Sequence, residues 1–342
     1  MYARRHNRAA GFTLLEMMLS TALFLGISSL ILGGMISVVR NYRSLEIRNA
    51  LEQRMRSAFE LMAQEIGQAG LQASGLDVSG LVAPLANITQ TITSTGSKTV
   101  TVDKIGGIFQ GASLVVNDGT NQETVVVTAM STTSPYSITA NFALTHTGAS
   151  TPLYAPGVFP GGILAPDYTA SPPRYSSTRS QLMIFGDVNA VGNALVLVRY
   201  ACPTTFPGAI QRTEWDVATG TWTTPSAGPT PLLDNVTACS FTYPDDPLLA
   251  HPIDLTQAPY TASWTDSGGT VRGPFKMVPS VGITITATSQ TNDPISNKPF
   301  QLTKSFLNIQ PRNVLAAIEQ VTAGNTSELQ PTPTTGIFAS LL

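Results

Sequence analysis

The sequence predicts an α+β protein. It would have a long N-terminal α-helix, transmembrane in its first half and amphipathic in its second, packed on an antiparallel β-sheet head with an additional inserted β module. Three observations carry this. From Met17 to Val39 there are 23 consecutive uncharged residues, enough for roughly 35 Å of helix against a hydrocarbon core of about 30 Å. Leu51, Met55, Phe59, Met62 and Ile66 then recur at helical spacing. From Thr89 onward the periodicity drops to two, in a chain with 28 Gly and 24 Pro in which only 12% of residues are charged.

The chain opens on a basic head holding Arg4, Arg5 and Arg8. Basic residues ahead of an apolar span keep the N-terminus cytoplasmic and send the remainder across the membrane. An ordinary cleaved secretory signal would have a shorter apolar stretch, with its small cleavage-site residues after it. Here the small residue, Gly11, comes before the apolar run. Without the first 11 residues, 16 basic side chains face 21 acidic ones, a net charge of −5. That is not the basic footprint of a nucleic-acid binder.

Glu16 sits just inside the apolar run. A charge at the centre of a membrane helix costs roughly 2.5–3.5 kcal/mol on insertion scales, and less near an end, so it calls for a partner. Cleavage between Gly11 and Phe12 would create an α-amine four residues before Glu16. In a packed assembly the amine of one subunit could pair with Glu16 of another. The alternative is a signal anchor whose Glu16 snorkels to the headgroups.

The stretch Gly11-Phe12-Thr13-Leu14-Leu15-Glu16-Met17 closely resembles the prepilin motif of type IV pilins and type II secretion pseudopilins. The resemblance implies a dedicated peptidase that cuts after Gly11 and methylates Phe12, with Glu16 assisting subunit docking. Residues 1–11 would be the leader, and 12–73 the long helix, of which 12–39 would lie first in the membrane and later in a filament core.

Past the apolar run, the stripe from Leu51 to Ile66 lasts about four turns, short for a free coiled coil, so it predicts packing against a sheet. No proline interrupts the chain before Pro84, and Gly67, Gly70 and Gly75 supply a helix end. Residues 41–71 are similar to the corresponding part of PilW-like minor pilins and the J-type minor pseudopilin. The matching pattern here is Glu65-Ile66-Gly67-Gln68-Ala69-Gly70-Leu71.

Residues 88–155 read as an inserted β-rich module that either folds alone or adds strands to one common sheet. Its clearest element is a hairpin of Leu114–Val116 and Glu123–Thr128 about Asn117-Asp118-Gly119. The head, 156–313, should hold strands at 181–185, 194–200, 236–243, 280–288 and 304–309. Thr213-Glu214-Trp215 and Thr221-Trp222 should form a hairpin that pairs two tryptophans. Leu232–Thr237 leading into Phe241–Tyr243, and a late strand closed by Gln310-Pro311-Arg312-Asn313, are also similar to the PilW-like pattern. Residues 314–342 read as a short helix at 314–320 and a flexible Thr/Ser/Pro-rich tail.

The chain has two cysteines, Cys202 and Cys239. Together with a membrane-entry segment they suggest one disulfide formed outside the cytoplasm. The bridge would follow if strands 194–200 and 236–243 were neighbours; the alternative is two buried thiols.

No catalytic constellation appears: no G-x-S-x-G elbow, H-E-x-x-H helix or Gly-rich phosphate loop. Of three histidines, His6 lies in the leader, and His146 and His251 read as solvated loop residues. This inventory argues against a zinc site. Asp245, Asp246 and Asp266 could offer oxygens to Ca²⁺, but no EF-hand spacing surrounds them, and turn-stabilising roles fit better. The expectation is therefore a non-enzymatic protein with no cofactor, no metal and no small-molecule substrate.

The resemblance implies a PilW-like minor pilin with a periplasmic C-terminal head, held in the bacterial inner membrane by a single pass and then built into an extracellular pilus. Its partners would be prepilin peptidase and the major and other minor pilins, in pilus assembly, adhesion or motility. The alternatives are a J-type minor pseudopilin of a type II secretion system, in a periplasmic pseudopilus, and a membrane-anchored periplasmic binding protein or enzyme.

Overall fold

A proline-free, leucine-rich sequence forms one helix, α1 (Leu14–Gln68), of 55 residues and about 80 Å. It ends where Gly70 adopts φ +80, a left-handed conformation that glycine enters without a Cβ penalty. The computed structural model describes residues 13–72, 84–148, 150–155, 157–167, 176–188, 195–217, 229–326 and 329–333. These form two compact units, one of 13–52 with 289–301 and one of 53–288 with 302–333.

Six short strands follow the helix: β1 (Ala86–Ile88), β2 (Gly96–Thr101), β3 (Ser113–Asn117), β4 (Gln122–Ser131), β5 (Ser137–Phe142) and β6 (Thr151–Tyr154). They pair antiparallel in the order β1-β6-β3-β4-β5-β2. The two ends of that order also meet. Ile88 bridges Val102, Thr89 N donates to Thr101 O at 2.9 Å, and Asp103 N donates to Asn87 O at 3.0 Å. The strands therefore close into a small barrel, which removes the exposed edges of an open sheet. The predicted hairpin is β3–β4, with Ser113 opposite Val126 and Asn117 opposite Gln122.

The second sheet contains β7 (Gln181–Gly186), β8 (Val196–Ala201), β9 (Gly208–Asp216), β10 (Thr230–Thr242), β13 (Val281–Asn292) and β14 (Pro299–Ile309), ordered β14-β13-β10-β9-β8-β7. A hairpin of β11 (Thr261–Thr265) and β12 (Val271–Lys276) stands apart from it. The helix α2 (Arg312–Thr322) follows β14. The module does not join the main sheet, and it does not keep a separate core. One apolar cluster runs from Ile88, Leu114, Val125 and Phe142 of the barrel into Phe159, Phe185, Leu197 and Trp215.

Two expectations change here. Strands β8 and β10 are not neighbours, because β9 lies between them. Trp215 stands opposite Leu197, with the Arg199 guanidinium 5.3 Å from its ring; Trp222 falls outside the described residues. The tail reading fails at Gln330. Its amide Oε1 accepts from Ser113 N at 3.1 Å, its Nε2 donates to Ser113 O at 2.8 Å, and the side chain is buried. A glutamine amide satisfies both backbone groups of a strand-end residue, so composition alone misjudged this segment.

Candidate functional site

The sequence motif residues fall at the two ends of α1. Gly11 and Phe12 lie outside the described residues. At the N-terminal end, Thr13 and Glu16 form a reciprocal cap. Glu16 N donates to Thr13 Oγ1 at 3.2 Å, and Glu16 Oε2 accepts from Thr13 N and Oγ1, each at 3.1 Å. This is a capping box, and its signature Thr-x-x-Glu stands in the sequence. Glu16 thus serves its own chain, through one oxygen. From Leu14 to Val39 the large apolar side chains are all exposed, Phe24 at 70%. Among the described residues this is one helix long and apolar enough to cross a membrane.

At the other end, α1 is fixed to the β body by the residues of the Glu65–Leu71 motif. Glu65 is 3% exposed, yet it faces charge and hydroxyl partners from two strands. Tyr200 of β8 donates its hydroxyl to Glu65 Oε2. Arg212 of β9 donates Nη2 to Glu65 Oε1 at 2.6 Å and also pairs with Glu214. Burial first, and the Glu65 carboxylate second, hold the Tyr200 phenol far above its ordinary pKa, so it remains a donor. Phe59 meets Phe306 of β14 edge-on at 4.9 Å.

The glycine in the motif permits close backbone approach. Gly70 N donates to Phe185 O at 2.8 Å, Phe159 N to Gly70 O at 2.9 Å, and Asp187 N to Leu71 O at 2.9 Å. A Cβ on Gly70 would stand 2.7 Å from Phe159 O, and one on Gly162 would stand 2.3 Å from Gly70 N. Asn313, the last residue of the Gln310–Asn313 stretch, donates Nδ2 to the helix-end carbonyls of Gln68 and Ala69 at 3.2 and 3.3 Å. Arg212 and Asn313 were legible only as a polar residue in a strand and one after a proline, because their partner is about 150 to 250 residues away.

Cys202 and Cys239 are disulfide-bonded, with Cα atoms 5.7 Å apart. Intervening β9 does not prevent this, because it begins only at Gly208, opposite Val236. Beyond that point β10 approaches the start of β7, where Phe241 N bonds Arg179 O and Cys202 N bonds Ser180 O.

His146 is not the solvated loop residue that its isolation in sequence suggested. It is fully buried, with Nε2 2.8 Å from Glu123 Oε1 and Nδ1 3.4 Å from Asp118 Oδ2. Glu123 also accepts from Ala143 N at 2.7 Å and Leu144 N at 3.1 Å. Asp118 is pulled down to about 2, chiefly by the backbone N–H groups of Asn121 and Thr120. Its stabilising contribution is therefore present above its ordinary value of 3.8 and is lost as pH falls through about 2. The whole arrangement ties the β3–β4 turn to the chain after β5. Among the described residues no group of three or more His, Cys, Asp or Glu side chains could hold a metal ion.

The other acids work as turn formers. Asp246 takes a bidentate pair from Arg179, at 2.9 and 2.6 Å, and bonds Leu248 N. The Arg179 guanidinium holds its carboxyl below the usual range. Asp266 accepts from Gly268 N, Thr270 N and Arg272 Nε. His251 is exposed. Comparison with protein-family models, curated proteins and solved structures finds no match.

Proposed function

We propose that the chain is a filament subunit of the type IV pilin class, acting as a PilW-like minor pilin. It would be cleaved after Gly11, methylated on Phe12, and held in the membrane by α1 until it enters a filament. The observation that supports this most is the split character of α1. One continuous helix leaves the large apolar side chains of Leu14–Val39 exposed, while Phe59, Glu65 and Gly70 fix its far end in the β body. It presents an apolar rod, first to lipid and then to neighbouring rods.

Glu16 fits both environments. Oε2 serves the cap, and Oε1 takes no partner among the described residues, so it can receive the amine of a neighbouring subunit's Phe12. A charge-assisted bond of this kind fixes register within an otherwise non-directional apolar bundle. N-terminal mass spectrometry of the membrane-extracted chain tests the reading. The expected product begins at N-methylated Phe12; a chain that retains Met1, or is cut after Val39, overturns it.

A further inference from the structure

Where the apolar run of α1 ends, the tip of the β13–β14 hairpin lies against the helix. Asp293 is buried and accepts hydrogen bonds from Ser44, from Ile295 N at 3.3 Å and from Ser296 Oγ at 3.0 Å. Arg48 stacks over the Phe300 ring at 4.9 Å. With these two anchors in place, Pro294 closes one side of a groove of about 420 Å³ whose other walls are Leu32, Met35, Ile36, Val39, Arg40 and Arg43. The apolar walls are on the N-terminal side and the two arginines stand at the C-terminal lip. Ile295, at the hairpin tip, is 59% exposed.

We propose that this groove holds one anionic phospholipid of the leaflet that α1 leaves. Its phosphate would lie between Arg40 and Arg43, and its acyl chain along Val39, Ile36, Met35 and Leu32. The proposal rests on the reading of α1 as a membrane helix. Charge and position single out this occupant. Arg40 is the first charged residue after the 23-residue apolar run, so it stands at headgroup level. Among the described residues neither Arg40 nor Arg43 forms an ion pair, and three residues apart they share a helix face. Two guanidiniums at such a surface favour a phosphodiester with net negative charge over a zwitterionic headgroup. From Arg40 to Leu32 the helix runs about 12 Å, long enough to line the upper part of an acyl chain. The only acid of the hairpin tip, Asp293, is turned inward, which leaves the rim basic with Lys298 at the tip. The exposed Ile295 then enters the same interfacial layer, so the hairpin tip rests on the bilayer.

The test uses the full chain in nanodiscs of equal parts phosphatidylglycerol and phosphatidylethanolamine, with native mass spectrometry of the lipids retained on release. The expected result is a preference for phosphatidylglycerol on the order of tenfold, reduced to parity in the double variant Arg40→Gln/Arg43→Gln. Insertion and head melting should stay unchanged in that variant. Parity in the unsubstituted chain, or an undiminished preference in the variant, overturns the proposal. Efficient cross-linking of two copies through Ile36→Cys in dilute nanodiscs overturns it in favour of a second copy in the groove. A chain that alkaline carbonate strips from membranes removes the membrane reading itself, a result distinct from inserted protein without lipid preference.

Discussion

Phe24 and Phe59 belong to the same helix, yet Phe24 is 70% exposed and Phe59 is fully buried. Around each, the neighbouring residues are mostly apolar or good helix formers. The difference lies in what the rest of the chain supplies. The C-terminal half of α1 is met by β8, β9 and β14, with Tyr200, Arg212 and Phe306 placed to receive Glu65 and Phe59. The N-terminal half has its apolar side chains facing solvent on every side. A contiguous apolar surface of this extent on a water-soluble protein would drive aggregation, so its exposure in the isolated chain is itself a statement about lipid or another subunit.

If the two halves have these separate duties, truncation at each should separate them. Phe59→Ala removes a fully buried ring and should lower the stability of the β body by about 3–5 kcal/mol. Phe24→Ala should leave it within about 0.5 kcal/mol. Chemical denaturation of the full chain in detergent, followed by tryptophan fluorescence, checks both. Equal effects would erase the distinction. Glu65→Ala tests the polar part of the same joint. It strands Arg212 against Glu214 and leaves the Tyr200 hydroxyl without its acceptor, a loss of about 3–5 kcal/mol for a broken buried pair. Glu16→Ala, a carboxylate on the exposed half, should not move the same transition.

What could be read in the sequence follows the range of the interactions involved. The 3.6-residue periodicity of Leu51–Ile66 and the turn chemistry of Asn117-Asp118-Gly119 are local, and both elements are where the pattern places them. Closure of the barrel depends on Asn87, Ile88 and Thr89 meeting Thr101, Val102 and Asp103, a contact that no single segment announces. The β11–β12 hairpin carries Gly273-Pro274 inside its second strand, which reads as a breaker. His146 is not legible as a buried residue because its carboxylates come from the β3–β4 hairpin more than 20 residues earlier. The Glu65–Leu71 motif was visible as a resemblance, but its reason was not. Gly70 is needed because its φ is +80 and the Phe159 carbonyl leaves no room for a Cβ.

The disulfide offers a smaller separation of the two halves. Replacing Cys202 and Cys239 by serine opens a link between residues 37 apart in sequence and should cost the β body about 2–4 kcal/mol. Membrane extraction and N-terminal processing should not change. Intact-mass measurement after alkylation, with and without reductant, should first show that the native chain has no free thiol.

The smallest effect belongs to Thr13, and it separates the two roles assigned to Glu16. Thr13→Ala removes the hydroxyl that receives Glu16 N and donates to Glu16 Oε2, but leaves the carboxylate in place. Loss of an N-cap side chain costs about 1 kcal/mol, confined to the first turn. Hydrogen exchange should therefore speed several-fold at residues 14–17 and nowhere in the β body. Filament incorporation should fall only slightly, because the group proposed to meet a neighbour's amine is still present. Glu16→Gln has the opposite profile. An amide oxygen can still accept from Thr13 N, so exchange at the helix start should change little, while incorporation should fall sharply with the charge gone. If the two variants lose incorporation equally, the carboxylate acts only by holding its own helix end, and the docking role is withdrawn.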